Sequence, residues 1–373
     1  MSDKNKQIAR PIQLELFHST KQLNLSEAYE SIPKEISPQD SSIVWESDNI
    51  ALPVERTFTV DGQTFVSEVK PATLRDPKTK KYKSYFPYFR ELRLEYALIS
   101  LASKQWLGVD YHNGEDPTYK LHVTYYQIQK EIVEAINQQE GSDLKPNDCP
   151  YNTTSIREGL KILKESTITV YDTSGKKEYG FNRIKDIYLD GSRTVIEFGT
   201  MISNYITRGD WNVADSQSIL ASKTYYTIKL KTLLNLKFRY AKRGAFYNPS
   251  LSHLVEKIGF REYKSKRESI RKMTHLLESL TEVERVEVLP KKEGRKIIGA
   301  VFHIFPSASF VQSMIEANKL NKRAKNALIS SDEEHVLIEP MEHEYPSKTE
   351  YLKAKRTFDI AKGKILHARL HSK

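Results

Sequence analysis

Between Lys223 and Ser307 the chain carries three helix-forming runs followed by two strand-forming runs, and few folds accept that order at such short spacing. Apolar residues at Ile228, Leu230, Leu233, Leu234 and Phe238 predict a helix over about Tyr226–Tyr240. Arg243-Gly244 closes it, because glycine takes the left-handed turn that a helix end needs. Ala245–Tyr247 reads as a short extended piece. Pro249-Ser250 opens a second helix, with Leu251, Leu254, Val255 and Ile258 inward and Gly259 as its stop. A third helix over about Lys264–Leu280 buries Ile270, Met273, Leu276, Leu277 and Leu280 and turns Lys264, Arg267, Arg271 and His275 outward. Val283–Leu289 and Ile297–Phe305 read as strands around a glycine-containing tip from Pro290 to Lys296, a hairpin signal.

Helix, short strand, helix, turn, helix, hairpin is the order of a winged helix, which lays its third helix in the DNA major groove and its hairpin tip over an adjacent groove or backbone. Both surfaces are basic here: Lys264, Lys266, Arg267, Arg271 and Lys272 on the helix, and Lys291, Lys292, Arg295 and Lys296 at the tip. One charged helix face marks only solvent. Two basic clusters at the two contact points of the fold make double-stranded DNA the expected partner. A net charge of +10 suits a polyanion, since each neutralised phosphate releases a counterion.

The same element order precedes this module. Tyr88–Gln105 predicts a helix and residues 119–123 a strand, and Thr124 opens a helix to about Asn137. Asn152–Glu165 predicts a third helix, with Ile156, Leu160, Ile162 and Leu163 inward and Arg157, Lys161 and Lys164 outward. Thr167–Tyr171 and the run from Glu178 read as a wing around a tip bearing Lys176 and Lys177, with Lys185–Phe198 as an extra β segment. Upstream, Asp61-Gly62 joins two strands in a hairpin, and the basic stretch Asp76–Lys83 reads as a loop that could touch phosphate, with a solvated loop as the preferred reading. Gly199–Ser222 reads as an irregular connection. The expected fold class is α+β, with two tandem winged-helix domains and flexible tails. Residues 1–48 are the N-terminal tail, 49–222 and 223–310 the two domains, and 311–373 a helix and basic tail.

Several chemistries lack their residues. One cysteine, Cys149, excludes an intrachain disulfide and a cysteine-based zinc site. Ser174-Gly175-Lys176-Lys177 lacks the upstream glycine spacing and following hydroxyl of a nucleotide-binding loop. The histidines form no His-x-His pair for nicking DNA, and His303, alternating within an apolar strand, reads as a core or edge residue. The acidic residues show no two-metal cluster. The expectation is a non-enzymatic protein without cofactor or metal. No apolar leader and no run near the ~20 residues of a membrane span are present, so a cytoplasmic location and no membrane partner are expected.

Gln13-Leu14-Glu15-Leu16-Phe17 is an apolar island in the polar N-terminal stretch. It resembles the Gln-Leu-x-Leu-Phe pentapeptide by which bacterial replication proteins bind the sliding clamp, with Gln13, Leu14, Leu16 and Phe17 as contacts. Thr153–Leu163 resembles the helix leading into the first wing of replication initiators of theta-replicating plasmids, with Gly159 standing where that family has alanine. Phe238–Ala241, followed by Ser250-Leu251, His253-Leu254 and Gly259, is similar to the family's second domain; the resemblance spans roughly residues 88–310. It implies binding to direct repeats (iterons) at an origin, opening of adjacent AT-rich DNA, recruitment of host clamp, helicase and initiator, and autorepression as a homodimer. A paired winged-helix transcriptional regulator and a nicking or strand-transfer enzyme are the alternatives.

Overall fold

The computed structural model describes residues 22–319, apart from 61, 77, 105–107, 111–117, 174–177, 192 and 204–211. In chain order, β1 (Gln22–Leu25), α1 (Glu27–Ser31), β2 (Trp45–Ser47) and β3 (Ile50–Ala51) lead into two hairpins, β4 (Val54–Val60) with β5 (Gln63–Lys70) and β6 (Ala72–Arg75) with β7 (Tyr82–Tyr85). Next come α2 (Phe89–Lys104), β8 (Gly108–Asp110), β9 (Thr118–Thr124), α3 (Tyr125–Glu140) and α4 (Thr153–Glu165). They are followed by β10 (Thr167–Asp172), β11 (Glu178–Asn182), β12 (Ile184–Asp190), β13 (Arg193–Phe198), β14 (Asn212–Asp215) and α5 (Ser216–Leu220). The last set is α6 (Tyr225–Lys237), α7 (Leu251–Ile258), α8 (Lys266–Glu278), β15 (Val283–Glu293) and β16 (Lys296–Pro306), with a further helix over 308–319.

Two winged helices stand in tandem. The second is α6, an extended piece at Tyr247 bridged to Ile304, then α7, α8 and the β15–β16 hairpin. Local chemistry sets its boundaries. Thr224 and Thr227 cap α6 reciprocally, the Ser250 hydroxyl accepts from the His253 amide at the start of α7, and Gly259 ends α7 at φ +62°. The first is α2, β9, α3, α4 and the β12–β13 hairpin, with β13 paired to β9. The expected wing, β10–β11, is therefore not the wing. Its strand β10 pairs along the other edge with β5, Ile168 opposite Val69, and completes a four-stranded sheet in the order β11-β10-β5-β4. The segment taken for an extra β run is the wing itself, turning at Gly191 with φ +57°.

Two segments expected to be irregular are structural. β1 pairs with β14, so part of the supposed tail and part of the supposed connection make one ladder. Tyr29, Lys34 and Ile36 are almost wholly buried. The polar look of this stretch is misleading, because its charges are matched inside the protein. Lys34 meets Glu30 at 3.0 Å, Arg183 meets Glu35 at 3.3 Å and Glu95 at 3.1 Å, and Lys229 meets Glu35 at 3.2 Å. The hydroxyl of Tyr29 donates to Glu95 at 2.5 Å and that of Tyr96 to Glu30 at 2.8 Å.

Helix α6 carries this network into the second module. It is buried nearly all round, including Lys229, Lys231, Thr232 and Asn235. Lys231 meets Glu282 at 3.3 Å, in the loop between α8 and β15, while Lys229 reaches back to Glu35. Tyr88 stacks on Tyr225 with centroids 4.5 Å apart. Burial alone would push the Glu35 carboxyl up; Lys229, Lys34 and Arg183 together hold it down at about 2.

Lys229→Met removes the first of those cations from a buried carboxylate. It is expected to cost about 3–5 kcal/mol, read as a lower urea midpoint. A depressed carboxyl stabilises the fold above its unfolded value and loses that contribution as pH falls through its folded value. Acid unfolding of Lys229→Met should therefore begin at higher pH than in the unsubstituted protein.

Candidate nucleic-acid interface

Helix α8 starts at Lys266, two residues later than expected, so Lys264 lies in the turn before it, and the helix places its own basic residues as its periodicity requires. Ser269, Met273 and Leu277 are buried against β15 and β16, and Lys264, Arg267 and Arg271 are exposed, with Lys266 and Lys272 half-buried. The Ser269 hydroxyl accepts from the Tyr263 amide at 2.8 Å, which fixes the turn entering the helix. Two of the five cations are already paired. Arg271 donates through Nε and Nη2 to Glu268 at 3.0 and 2.7 Å, and Lys266 meets Glu262 at 2.5 Å. The fork on Glu268 holds the Arg271 guanidinium above its usual range and the Glu268 carboxyl below its own.

The β15–β16 hairpin is longer than the sequence suggests. Lys291 and Lys292 lie within β15 and Lys296 within β16, and only Gly294 and Arg295 form the turn, Gly294 at φ +58°. A register shift at Lys291/Lys292 bends the arm. The base is anchored by Phe302 and Ile304, whereas 289–299 contain no buried residue. Leu289 and Ile298 are about half exposed there, flanked by Pro290, Lys291, Lys292, Arg295 and Lys296, which keep this unpaired edge from accepting another strand. His303 stacks on Phe246 at the hairpin's base, as an edge histidine would.

The first module presents a different surface. Asn152 caps α4 by accepting from Ser155, and Arg157 and Lys161 are exposed. Lys164 is tied to Asp186 at 2.8 Å. Gly159 lets α2 approach closely, since a Cβ there would lie 2.5 Å from Leu94. Lys176 and Lys177 lie outside the described residues, and the β10–β11 hairpin they join is not the wing. The actual wing is close to neutral, with Lys185 against Glu197 at 2.6 Å and Asp190 opposite Arg193 at its end. The pentapeptide Gln13–Phe17 and the basic stretch after 353 also lie outside the described residues.

A cleft of about 620 Å³ separates residues 30–41 from α6 and α7, lined by Tyr88, Tyr225, Tyr226, Phe260, Arg56 and Lys229. Among the described residues no His, Cys, Asp and Glu group could hold a metal, and no helix is long and apolar enough to cross a membrane. Burial pushes the Cys149 thiol up.

Fold and surface together define a tandem winged-helix protein with an exposed basic third helix in each module. No family model matches the sequence, and no curated protein does. The chain is similar to solved structures of domains 2 and 3 of RctB: one is 14% identical with a TM-score of 0.44, covering 74% of this chain and 97% of that one. Another structure of RctB domains 2–3 is 12% identical with a TM-score of 0.42, covering 76% and 98%. A Pi initiator protein in complex with iteron DNA is 18% identical with a TM-score of 0.41, covering 59% and 91%.

Gly294→Ala forces a side chain into the left-handed region and should cost about 1–2 kcal/mol. Amide hydrogen exchange should accelerate in 289–299 and stay unchanged in Val283–Val288, because only the proximal half is held by packing.

Proposed function

We propose that this protein is a sequence-specific double-stranded DNA-binding initiator of plasmid replication that acts without a catalytic step of its own. The observation that carries the reading is the presence of two winged helices whose third helices, α4 and α8, both expose basic residues, on modules joined by a buried charge network. Arg157 and Lys161 face solvent on α4, and Lys264, Arg267 and Arg271 on α8 with its approach. Two modules held at one spacing read an extended site, and repeated copies of such a site suit an origin. A cation-bearing helix in the major groove reads base edges, with arginine to guanine as the commonest bidentate contact. The β15–β16 arm supplies phosphate contacts through Lys291, Lys292, Arg295 and Lys296, which position without specifying.

The same reading assigns Gln13, Leu14, Leu16 and Phe17 to the host sliding clamp, an extended peptide whose apolar side chains fill a pocket. Recruitment of the host helicase and initiator, and a homodimeric form repressing its own gene, complete it.

Footprinting on the DNA flanking its own gene tests the proposal. Protections repeated at regular intervals, about two helical turns apart, are expected. A single palindromic protection over the promoter would instead favour a transcriptional regulator, and absence of any specific protection would overturn both.

Within that experiment, Arg271→Ala should lose about 1–3 kcal/mol on the specific site and little on random DNA, whereas Lys292→Ala should weaken both alike. Equal losses for Arg271→Ala on both duplexes would remove its base-reading role.

A further inference from the structure

We propose that the β6–β7 hairpin is an additional DNA-contacting element, a preformed phosphate-binding tip beside α4 that does for the first module what the basic arm does for the second. The inference rests on the DNA-binding reading above.

The tip carries Arg75, Lys78, Lys80, Lys81 and Lys83, all exposed. Unlike Arg271, Lys266 or Lys164, none of the four lysines enters a salt bridge among the described residues; Lys83 lies over the Tyr85 ring at 5.4 Å. The one carboxylate in the stretch is turned to the backbone. Asp76 Oδ1 accepts from the amides of Lys78 at 2.7 Å and Thr79 at 2.9 Å. The tip thus shows cations outward and spends its acid on its own closure.

It is also held in shape. The Asp76 amide donates to the Lys81 carbonyl and the Lys80 amide to the Asp76 carbonyl, each at 2.9 Å, and Arg75 Nε donates to the Lys80 carbonyl at 3.2 Å. Lys80 sits at φ +59°, alone among the described non-glycine residues in that region. A lysine kept left-handed by surrounding hydrogen bonds is a strained residue held in place, and such residues concentrate at binding sites. A tip already closed loses little conformational freedom when it meets a ligand.

Its position fits a duplex. The hairpin's β6 packs against α4, the helix that carries Arg157 and Lys161. The Ser84 amide and hydroxyl fasten the base to Asn49 and Ala51. From that base the tip extends about 10–13 Å at ~3.3 Å per residue. The major groove is about 12 Å wide, so a tip of that length, based against α4, is long enough to span from a groove-bound α4 to a bordering phosphate.

The test is fluorescence anisotropy of the full chain on a random-sequence duplex across a salt series, comparing the unsubstituted protein with Lys78→Gln/Lys80→Asn/Lys81→Gln. Asparagine tolerates the left-handed backbone at 80. The slope of log affinity against log salt should fall in magnitude by about 2–3, since each phosphate that the tip no longer neutralises lowers it by ~0.9. Thermal melting verifies the fold. Should the triple variant melt early, Lys78→Gln/Lys81→Gln, which keeps Lys80, should lower the slope by about 1–2. An unchanged slope in a folded variant overturns the hairpin's role and leaves the DNA-binding reading standing. If the unsubstituted protein binds no duplex even at low salt, that reading falls and the hairpin's role with it.

Discussion

The architecture depends on a buried charge network, in which Glu35, Glu30 and Glu95 are matched by Lys34, Arg183 and Lys229. The six come from α1 and the segment after it, from α2, from the β11–β12 junction and from α6, so the network ties an N-terminal strap, the first module and the second. Apolar faces alone would let the modules slide past one another at modest cost, since dispersion and area burial have little directionality. Buried ions do not slide. Each stranded charge costs several kcal/mol, and the partners must be met at hydrogen-bond distance. Lys231, Glu282 and Ser218 make a second, smaller set on the other flank of α6. One helix is thus fastened on two sides, and the spacing between α4 and α8 becomes a property of the fold rather than of a linker.

That rigidity bears on recognition. Flexibly joined modules bind two half-sites with an effective concentration set by the linker, and tolerate variable spacing. Under the DNA-binding proposal, modules fixed by buried charge would accept one spacing and one phase. The charges on α8 are not all free. Arg271 is already forked onto Glu268, so any ligand with two acceptors, phosphate or base edge, meets it only by displacing that pair. Among the described residues, the lysines of the β6–β7 tip and the β15–β16 arm have no such carboxylate to give up.

Much of the second module was legible in the sequence, because its signals are local. Ser250, Gly259 and the 3.6-residue stripe of α8 act within a few residues, and the elements fall close to where they predict. Strand pairing is not local, and there the reading failed: Thr167–Tyr171 and Lys185–Phe198 were both visible as strands, yet nothing nearby says which meets β9 and which meets β5. The N-terminal segment failed for another reason. Glu30, Lys34 and Glu35 resemble surface residues in composition, and only distant partners, Tyr96 on Glu30 66 positions away and Arg183 and Lys229 on Glu35 148 and 194 positions away, reveal the segment as core. Basic residues on α4 and α8 were legible from helical phase. The state of the charges, paired on Arg271 of α8 and Lys164 of α4 but free of salt bridges among the described residues at Lys78, Lys80 and Lys81 of the β6–β7 hairpin, was not.

The two modules also divide their electrostatics unequally, and the division follows from the sheet. In the second module β15 pairs, among the described residues, only with β16, so the hairpin is free to lengthen into an exposed arm carrying cations at its end. In the first module the wing strand β13 is held between β12 and β9, and its length is set by the ladder it joins. Its charges are spent within the sheet and on α4, Lys185 on Glu197 and Lys164 on Asp186. A hairpin outside that sheet is under neither constraint. Among the described residues β6 and β7 form a ladder only with each other, fastened at the base by Ser84 to Asn49 and Ala51, and the closing hydrogen bonds of Asp76 leave their lysines outward. A basic tip beside a third helix is therefore reached twice by different routes, once by extending the wing and once by an unrelated hairpin packed against the helix.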